Sequence, residues 1–328
     1  METEKTARLH DLGESIDFYE SRYEHGYMEE YPDDVKEKIF AIIRDLGLPE
    51  EGRALDFGCG NGVLTDIIRQ ALPSWTVCGT DLSRKALANA RTRFPKCTFI
   101  DRDDPSLKSN AFDFLFTNHV IEHVADLDAV VDQMSDAVGQ QGAMLHFLPC
   151  GNAGSYEHDL CMLRKDGIIP KLGDRFFFED EGHLRRLTTD QLRGPIEARG
   201  FALVRGYYSN QYWGAVEWLT GPLSSVRFLL DLTDPSQVVD RSASLRLLRM
   251  RIFLTAIALL RLHAEICSRL FNKRLKKWPH VVAAALLLPF YIISKPVDAQ
   301  LKRAAKKEWE TRKFDRNGSE MALYFKRG

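Results

Sequence analysis

The spacing of apolar positions predicts helices and strands that alternate along the first half of the chain. In Asp33–Leu46, DDVKEKIFAIIRDL, apolar residues recur every three or four positions behind an acidic first turn, and Gly47 follows as a stop signal, which predicts a helix. Five runs rich in β-branched and aromatic residues come next, separated mostly by stretches of helical length: RALDFG, WTVCGTD, CTFIDRD, FDFLFTN and GAMLHFLP. This alternation predicts an α/β fold with a doubly wound, mostly parallel sheet and helices on both faces.

The second half of the chain is less regular. Segment 151–187, rich in Gly, Asp and aromatic residues, predicts a substrate-facing loop with short elements of its own. FALVRGYYS and the C-terminal SEMALYFKR predict an antiparallel pair of strands that completes a seven-stranded, Rossmann-like sheet. The predicted organisation is therefore an N-terminal helical lid (1–32), a core (33–209), a helical insert before the last strand (210–317) and the last core strand (318–328).

Charge is distributed unevenly between the predicted core and the insert. The net charge is −1, but residues 241–328 hold 20 Lys and Arg against 6 Asp and Glu, whereas residues 1–240 hold 25 against 40. The uncharged run 278–294 contains Pro279 and Pro289 and lies at the lower limit of the length that spans a bilayer. Apolar blocks flanked by basic ones are typical of a segment that lies in the interface of an anionic membrane.

We therefore expect residues 244–310 to make peripheral contact with a membrane. A helical homodimer interface is the alternative, and no nucleic-acid partner is expected, because apolar blocks of this size do not contact phosphates. The six cysteines include no C-x-x-C pair and the N-terminal METEKTARLH is polar, which predicts a reducing cytosol. Together with the basic, apolar insert, this predicts a peripheral location on the inner face of a membrane. No metal-ligand spacing is present, so no metal is predicted.

The strongest chemical motif is ALDFGCGNG at 54–62, a predicted strand that runs into three glycines and then a helix. Glycines there let the backbone approach a ligand, and the helix N-terminus offers unpaired N–H donors. A nicotinamide fingerprint needs a glycine where Val63 stands, and a phosphate loop needs G-K-[ST], so both interpretations are disfavoured. The next strand ends in Asp81, about twenty residues on, where an acidic residue can accept hydrogen bonds from a ribose.

Through ALDFGCGNG, GTDLS, FIDRDDPSLKSNAFDFLFTNHVIEHV and QQGAMLHFLP, the chain resembles class I S-adenosylmethionine-dependent methyltransferases over roughly residues 33–208. It departs from many relatives in reading VGQQG at 138–142, where they have a Lys-Pro-Gly-Gly turn. The resemblance implies S-adenosylmethionine as the cofactor. The implied cofactor-binding residues are Asp56 as loop anchor, Gly58, Gly60 and Asn61 around the methionine portion, Asp81 on the ribose, Leu82 on the adenine, Asp101 or Arg102 beside the adenine amino group, and Asn118 near the sulfonium.

Three histidines are the candidate catalytic residues. His123 is the first candidate for a general base because imidazole titrates near neutral pH, and the alternative is that it caps or orients the loop beneath the cofactor. His119 either contacts substrate or is an exposed loop residue. His183 resembles a position that approaches the active site in sugar-methylating members of the family.

Tyrosines at 19, 23, 27 and 31 have the spacing of one helix face and predict either a lid over the cofactor or ordinary helix packing. The predicted function is O-methylation of a glycan, lipid-linked or isoprenoid-like acceptor at a membrane surface. The alternatives are N- or C-methylation of a soluble small molecule, with the insert as a dimer interface, and a cofactor-binding adapter without catalysis.

Overall fold

A computed structural model describes residues 12–221, 226–272 and 278–328. The described helices are α1 Leu12–Glu24, α2 Asp33–Asp45, α3 Val63–Ala71, α4 Arg84–Arg93, α5 Leu127–Ala137, α6 Tyr156–Met162, α7 Thr189–Glu197, α8 Trp213–Leu219, α9 Val226–Leu232, α10 Arg241–Asn272 and α11 Trp278–Arg312. The described strands are β1 Arg53–Phe57, β2 Thr76–Thr80, β3 Thr98–Phe99, β4 Phe112–Asn118, β5 Val138–Pro149, β6 Ile168–Ile169, β7 Arg175–Phe176, β8 Phe201–Ser209 and β9 Glu320–Arg327.

One sheet contains seven of the described strands, in the order β3-β2-β1-β4-β5-β9-β8. Strands β1 to β5 pair in parallel, and Asp56 of β1 lies opposite Gly79 of β2 and Phe116 of β4. The strand order reverses between β1 and β4, so their carboxyl ends diverge into a crevice, which is where open α/β sheets bind ligands.

Two backbone hydrogen bonds give the direction of the last two strands. The amide of Ser319 donates to the carbonyl of Ser209 at 2.9 Å, and the amide of Gly328 donates to the carbonyl of Gly200 at 3.0 Å. The end of β9 therefore meets the beginning of β8, and the two strands are antiparallel. The predicted mostly parallel, seven-stranded sheet, with a helical segment before its last strand, is confirmed.

The described chain forms two compact units. The first contains the residues up to Pro149 together with Asp180–Gly206 and Met321–Gly328, and the second contains Cys150–Glu179 and Tyr207–Glu320. In the first unit the centre of the sheet is fully buried at Leu55, Phe114 and Leu145. Burial on both faces explains why these strands read as nearly continuous apolar runs.

Side-chain caps fix where the helices around the first unit's sheet begin. Ser83 accepts a hydrogen bond from the amide of Ala86 at the start of α4, and Asp126 accepts one from the amide of Ala129 at the start of α5. These caps satisfy amides that have no partner within the helix, so each chain reversal after β2 and β4 is set locally.

The N-terminal helix ends earlier than the tyrosine spacing predicts. Helix α1 stops at Glu24, because Gly26 with φ +83° and Met28 with φ +51° adopt left-handed backbone conformations that a helix cannot continue through. Tyr27 and Tyr31 consequently lie in a turn and an irregular segment rather than on a helix.

The second unit is mainly helical and is organised around a buried cation. The side chain of Arg261 on α10 is 1% exposed and forms ion pairs with Glu217 of α8 at 2.5 Å and with Asp298 of α11 at 2.8 Å. Glu308 of α11 accepts hydrogen bonds from the first amides of α8, including that of Trp213 at 2.9 Å. These polar contacts tie together three helices whose remaining core is aliphatic.

Helices α10 and α11 carry large apolar side chains on their surface. The most exposed are Leu286 at 71%, Ile292 at 68%, Phe290 at 65% and Ile252 at 63%. Within the described ranges, no helix has both the length and the apolar character needed to span a bilayer.

Candidate active site

The loop between β1 and α3 can be built only from glycine at two key positions. Gly58 has φ +82°, and a Cβ there would lie 2.4 Å from Cγ2 of Val120. Gly60 has φ +52°, and a Cβ there would lie 2.7 Å from the hydroxyl of Tyr23. A side chain at either position is excluded, both by the left-handed backbone and by the close contact with Val120 or Tyr23.

Asp81 joins the glycine loop to the end of β2. Its Oδ2 accepts a hydrogen bond from the amide of Gly60 at 2.8 Å, and its Oδ1 accepts one from the amide of Ser83 at 2.9 Å. Burial raises the pKa of Asp81 although these two hydrogen bonds oppose the shift. The carboxylate therefore holds the loop and the start of α4 in fixed positions around the crevice.

Asp56 supports the same loop from inside the sheet. It is 1% exposed, and its Oδ2 accepts a hydrogen bond from the hydroxyl of Thr65 on α3 at 2.7 Å. Burial raises the pKa of Asp56 to about 7. This hydrogen bond ties the end of β1 to α3, and the role of Asp56 as loop anchor stays a prediction.

A cavity of about 420 Å³ lies at the carboxyl ends of the strands within the first unit, a volume typical of small-molecule sites. The predicted residues that line it are Gly58, Gly60, Asn61, Asp81, Leu82, Arg102, Asn118, His119 and His123. Asp101 is not among the lining residues; its side chain is 73% exposed and pairs with Arg91 at 3.1 Å. Of the two candidates after β3, the structure therefore brings Arg102 and not Asp101 to the cavity.

All four tyrosines of the N-terminal segment line this cavity, although only Tyr19 and Tyr23 belong to α1. Burial raises the pKa of each phenol, so the four hydroxyls stay protonated at neutral pH. Asn61 holds the segment on the glycine loop, because its Nδ2 donates to the carbonyl of Tyr27 at 3.0 Å.

Two side chains of α1 attach the segment to the rest of the first unit. The carboxylate of Glu20 accepts hydrogen bonds from the hydroxyl of Ser83 at 2.8 Å and from the amide of Arg84 at 2.8 Å, at the N-terminus of α4. Arg22 donates two hydrogen bonds to Asp180 and lies 3.9 Å from the ring centroid of Tyr27. The tyrosine-bearing segment is thus attached at both sides of the crevice.

The three candidate histidines gather around one buried acid, Glu122. The Nδ1 of His119 donates to Oε1 of Glu122 at 2.7 Å, and the rings of His123 and His183 meet edge to face with centroids 4.6 Å apart. Burial alone would raise the pKa of Glu122, but the charge and hydrogen bond of His119, with the charges of His123 and His183, lower it to about 2. The acid is therefore ionised at neutral pH.

His123 is anchored and neutral. Its Nδ1 donates to the carbonyl of Gly182 at 2.9 Å, and burial lowers its pKa to about 4. Both interpretations from the sequence remain compatible with this geometry, because the ring orients the loop through Nδ1 while Nε2 keeps a lone pair beside the cavity.

The cavity fits the implied cofactor on two observations besides its volume. Gly58, Gly60 and Asn61 of the glycine loop line the cavity, so the loop backbone borders the space that a ligand would occupy. Nη1 of Arg102, which lines the cavity, is buried and finds no partner among the described residues. A buried donor without an acceptor costs free energy, and a bound ligand that accepts its hydrogen bond removes that cost.

Sequence reasoning missed the part of the wall that α5 supplies. Ala129, Val130 and Gln133 line the cavity from one face of that helix. They belong to an ordinary amphipathic pattern and carry no motif. The contact of Glu122 with the histidines also depends on the fold, because His183 lies about sixty residues further along the chain.

Comparison with known proteins identifies the family. A family model described as a methyltransferase domain matches residues 25–205. The chain is similar to the trans-aconitate 2-methyltransferase of Variovorax paradoxus, with 28% identity over 121 residues, which cover 36% of this chain and 47% of that protein. The similar enzyme of Rhizobium etli shows 30% identity over 118 residues, which cover 36% of this chain and 46% of that protein.

The chain thus spans about half the length of the curated relatives that it matches. Among solved structures, it is similar to a putative sarcosine dimethylglycine methyltransferase from Galdieria sulphuraria, with 11% identity, a TM-score of 0.45 and coverage of 90% of this chain and 86% of that one. The family match extends over more than half of the chain and includes the glycine loop, Asp81 and the histidine cluster. The chain therefore belongs to the class I S-adenosylmethionine-dependent methyltransferases.

Proposed function

We propose that the protein transfers the methyl group of S-adenosylmethionine to an oxygen atom of an acceptor that enters the cavity beside the histidine cluster. The observation that most supports this proposal is that the glycine loop, Asp81 and His123 all line the same cavity. A cofactor cradle and a group able to accept a proton thereby face the same space.

The cofactor's place follows from the residues present. Gly58 and Gly60 would hold its methionine portion, Asp81 its ribose hydroxyls, Leu82 and Arg102 its adenine, and Asn118 would lie near the sulfonium. When bound, S-adenosylmethionine supplies a methyl group already activated by its positive sulfur. The protein's work is then chiefly to position the acceptor and to exclude water.

The tyrosine segment supplies both the exclusion of water and a favourable surface for a cation. Aromatic faces attract positive charge, most strongly where water is absent. Tyr19, Tyr23, Tyr27 and Tyr31 line the cavity with buried, protonated phenols. We assign residues 12–32 the role of a lid that closes after the cofactor binds.

His123 is the candidate general base for a hydroxyl acceptor. It is neutral at pH 7, its Nδ1 is committed to Gly182, and Nε2 is the atom left to accept a proton. His119 holds the carboxylate of Glu122 in place, and that carboxylate would stabilise a proton gained by the neighbouring imidazoles.

The acceptor class rests on the surface of the second unit. Exposed apolar side chains on α10 and α11 lie within a segment that carries 20 basic against 6 acidic residues over 241–328. Insertion of apolar side chains together with attraction of basic residues is how peripheral proteins hold anionic membranes. We therefore propose a glycan, lipid-linked or isoprenoid-like acceptor presented at a membrane surface.

A second candidate acceptor comes from the relatives. Their names describe methylation of trans-aconitate, a soluble small molecule. If this protein acts on such a compound, or on a nitrogen or carbon atom of another soluble molecule, the apolar surface of the second unit would instead pair with a second copy of the chain.

Two experiments test these proposals. Calorimetric titration with S-adenosylhomocysteine should show saturable binding that Asp81→Ala abolishes, and transfer of labelled methyl should then be sought with lipid extracts and with soluble extracts. Binding without transfer to either extract would support a cofactor-binding adapter and refute catalysis. A folded protein that binds no S-adenosylhomocysteine would refute the cofactor site itself.

Flotation with phosphatidylglycerol vesicles tests the membrane surface. The variant Phe290→Ser/Ile292→Ser should lose flotation, whereas Val204→Ser, which changes a side chain 52% exposed on β8, should retain it. Equal flotation of all three proteins, or no flotation of the unmodified chain, would refute the membrane proposal. A change from dimer to monomer in the double variant without flotation would support the second candidate.

A further inference from the structure

We propose that Glu122, His123 and His183 bind a divalent transition-metal ion beside the cavity. The potential ligand atoms of these three side chains all lie within 4.8 Å of one another. Nitrogen and oxygen ligands lie about 2.0–2.2 Å from such an ion, which places them roughly 3–3.6 Å apart. Side-chain shifts of about 1 Å would bring the three into that range. This inference departs from the sequence, whose spacing predicted no metal.

The carboxylate of Glu122 is an independent observation that points to a cation. The residue is 1% exposed; its Oε1 accepts from His119, but its Oε2 is buried without a partner among the described residues. An acidic oxygen left in this state costs free energy that a bound cation would offset. His119 fixes the orientation of the carboxylate from the opposite oxygen.

One of the two imidazoles, that of His123, is oriented as metal ligands usually are. His123 donates from Nδ1 to a backbone carbonyl, that of Gly182, which fixes the tautomer and leaves the lone pair on Nε2. Ligating histidines almost always make this second hydrogen bond. His183 meets the ring of His123 edge to face, with 79° between the ring planes, so that the two rings do not stack against each other.

The donor set indicates the class of ion. Two imidazole nitrogens and one carboxylate oxygen suit Zn²⁺, Fe²⁺ and Co²⁺, and three protein ligands leave coordination positions open for water or another oxygen. Because His123 also lines the cavity, an acceptor oxygen could complete the coordination sphere. That last step rests on the proposed function, whereas binding of the ion does not. The bound ion would occupy Nε2 of His123, so the role of general base proposed for that atom applies to the metal-free protein alone.

Titration of the full chain with Co²⁺ after chelator treatment tests the inference, because visible absorption of Co²⁺ reports its ligands directly. We expect one Co²⁺ per chain with a visible band that Zn²⁺ displaces. Glu122→Gln and His183→Gln should weaken binding at least tenfold and remove the band. His25→Gln is the control for the loss of an imidazole: the exposed side chain of His25 bonds to the carbonyl of Ser21 and does not line the cavity, so Co²⁺ binding should be unchanged.

Absence of a band in the folded, unmodified chain would overturn the inference, as would equal binding by His183→Gln and the unmodified protein. Circular dichroism shows which variants are folded. If Glu122→Gln is unfolded, the inference is tested by Co²⁺ binding to His183→Gln, because His183 is only half-buried. S-adenosylhomocysteine binding by the same samples separates the two proposals. Intact cofactor binding without Co²⁺ binding overturns only the metal site, and bound Co²⁺ without cofactor binding overturns only the proposed function.

Discussion

Arg22 and Asp180 form a two-pronged ion pair, with Nη1 donating to Oδ1 at 2.9 Å and Nη2 donating to Oδ2 at 2.7 Å. Burial alone would raise the pKa of Asp180, but the hydrogen bond from Arg22 helps to lower it to about 2, so the carboxylate is ionised at neutral pH. The pair fastens the tyrosine-bearing segment to the residues that carry His183.

Loss of this pair should speed the escape of a bound ligand. Arg22→Gln removes a partly exposed, bidentate ion pair worth about 1 kcal/mol, which corresponds to roughly fivefold faster dissociation of S-adenosylhomocysteine. Stopped-flow displacement measures this rate. Arg205→Gln is the control. Arg205 forms an ion pair with Asp45, with Nη1 and Oδ2 2.9 Å apart, and neither residue lines the cavity. Equal dissociation rates in both variants would contradict a role for the Arg22 pair in closure.

Gly60→Ala should damage binding far more than it damages folding. The added Cβ would press on the hydroxyl of Tyr23 at 2.7 Å, and the backbone φ of +52° disfavours alanine. We expect at least tenfold weaker binding of S-adenosylhomocysteine by calorimetry.

Gly194→Ala is the matched control for this substitution. Gly194 lies inside α7 with nothing within 4 Å of its Cβ position, so alanine should leave binding unchanged and stabilise the helix by about 0.5–1 kcal/mol. Tight binding by Gly60→Ala would show that the loop has room to move.

His146 should make the protein sensitive to acid. It is fully buried in β5, shares a hydrogen bond of 2.9 Å with the hydroxyl of Thr117, and burial lowers its pKa to about 3. Between pH 6.5 and 3 the unfolded chain binds a proton that the folded protein does not, so stability falls as the pH falls, by about 1.4 kcal/mol per pH unit from this group.

His146→Gln should flatten that dependence, because glutamine does not titrate. Urea unfolding at a series of pH values measures the slope, with His25→Gln, an exposed histidine, as the control. Identical slopes in His146→Gln and the unmodified protein would mean that other groups dominate acid unfolding.

Arg261 should be the most sensitive position of the second unit. Removing the buried Arg261 takes an ion pair from both Glu217 and Asp298, at a cost of up to about 3 kcal/mol, because Asp298 keeps its pair with Lys302 at 3.1 Å. Arg261→Gln should therefore lower the unfolding midpoint in urea. Arg227→Gln, which alters a pair with Asp231 whose arginine side chain is 91% exposed, should have almost no effect.

Local patterns in the sequence were sufficient wherever one segment sets its own structure. The apolar runs around Leu55 and Phe114 predicted the sheet, and the glycines after β1 predicted the turn into α3, because strand burial and left-handed turns are decided by neighbouring residues. The end of α1 was missed because Gly26 and Met28 interrupt a tyrosine spacing that otherwise looks continuous.

Relationships across the chain were beyond such reasoning. Asp101 and Arg102 are adjacent, and only the direction of each side chain after β3 decides which one reaches the cavity. His123 and His183 meet because the segment after Glu179 returns to the sheet edge, and no local spacing encodes that return. Unpartnered atoms such as Oε2 of Glu122 become visible only when every neighbour is in place.

The position of β9 between β5 and β8 has a consequence for how the molecule is made. Strand β8 leaves the ribosome well before β9, and the whole of α8 to α11 is synthesised between them. Until β9 arrives, β8 has no neighbour in the sheet and both β5 and β8 have an open edge, which is a site for pairing with other chains. During synthesis of the helical segment, the edges of β5 and β8 therefore stay open to pairing with other chains until β9 fills the gap.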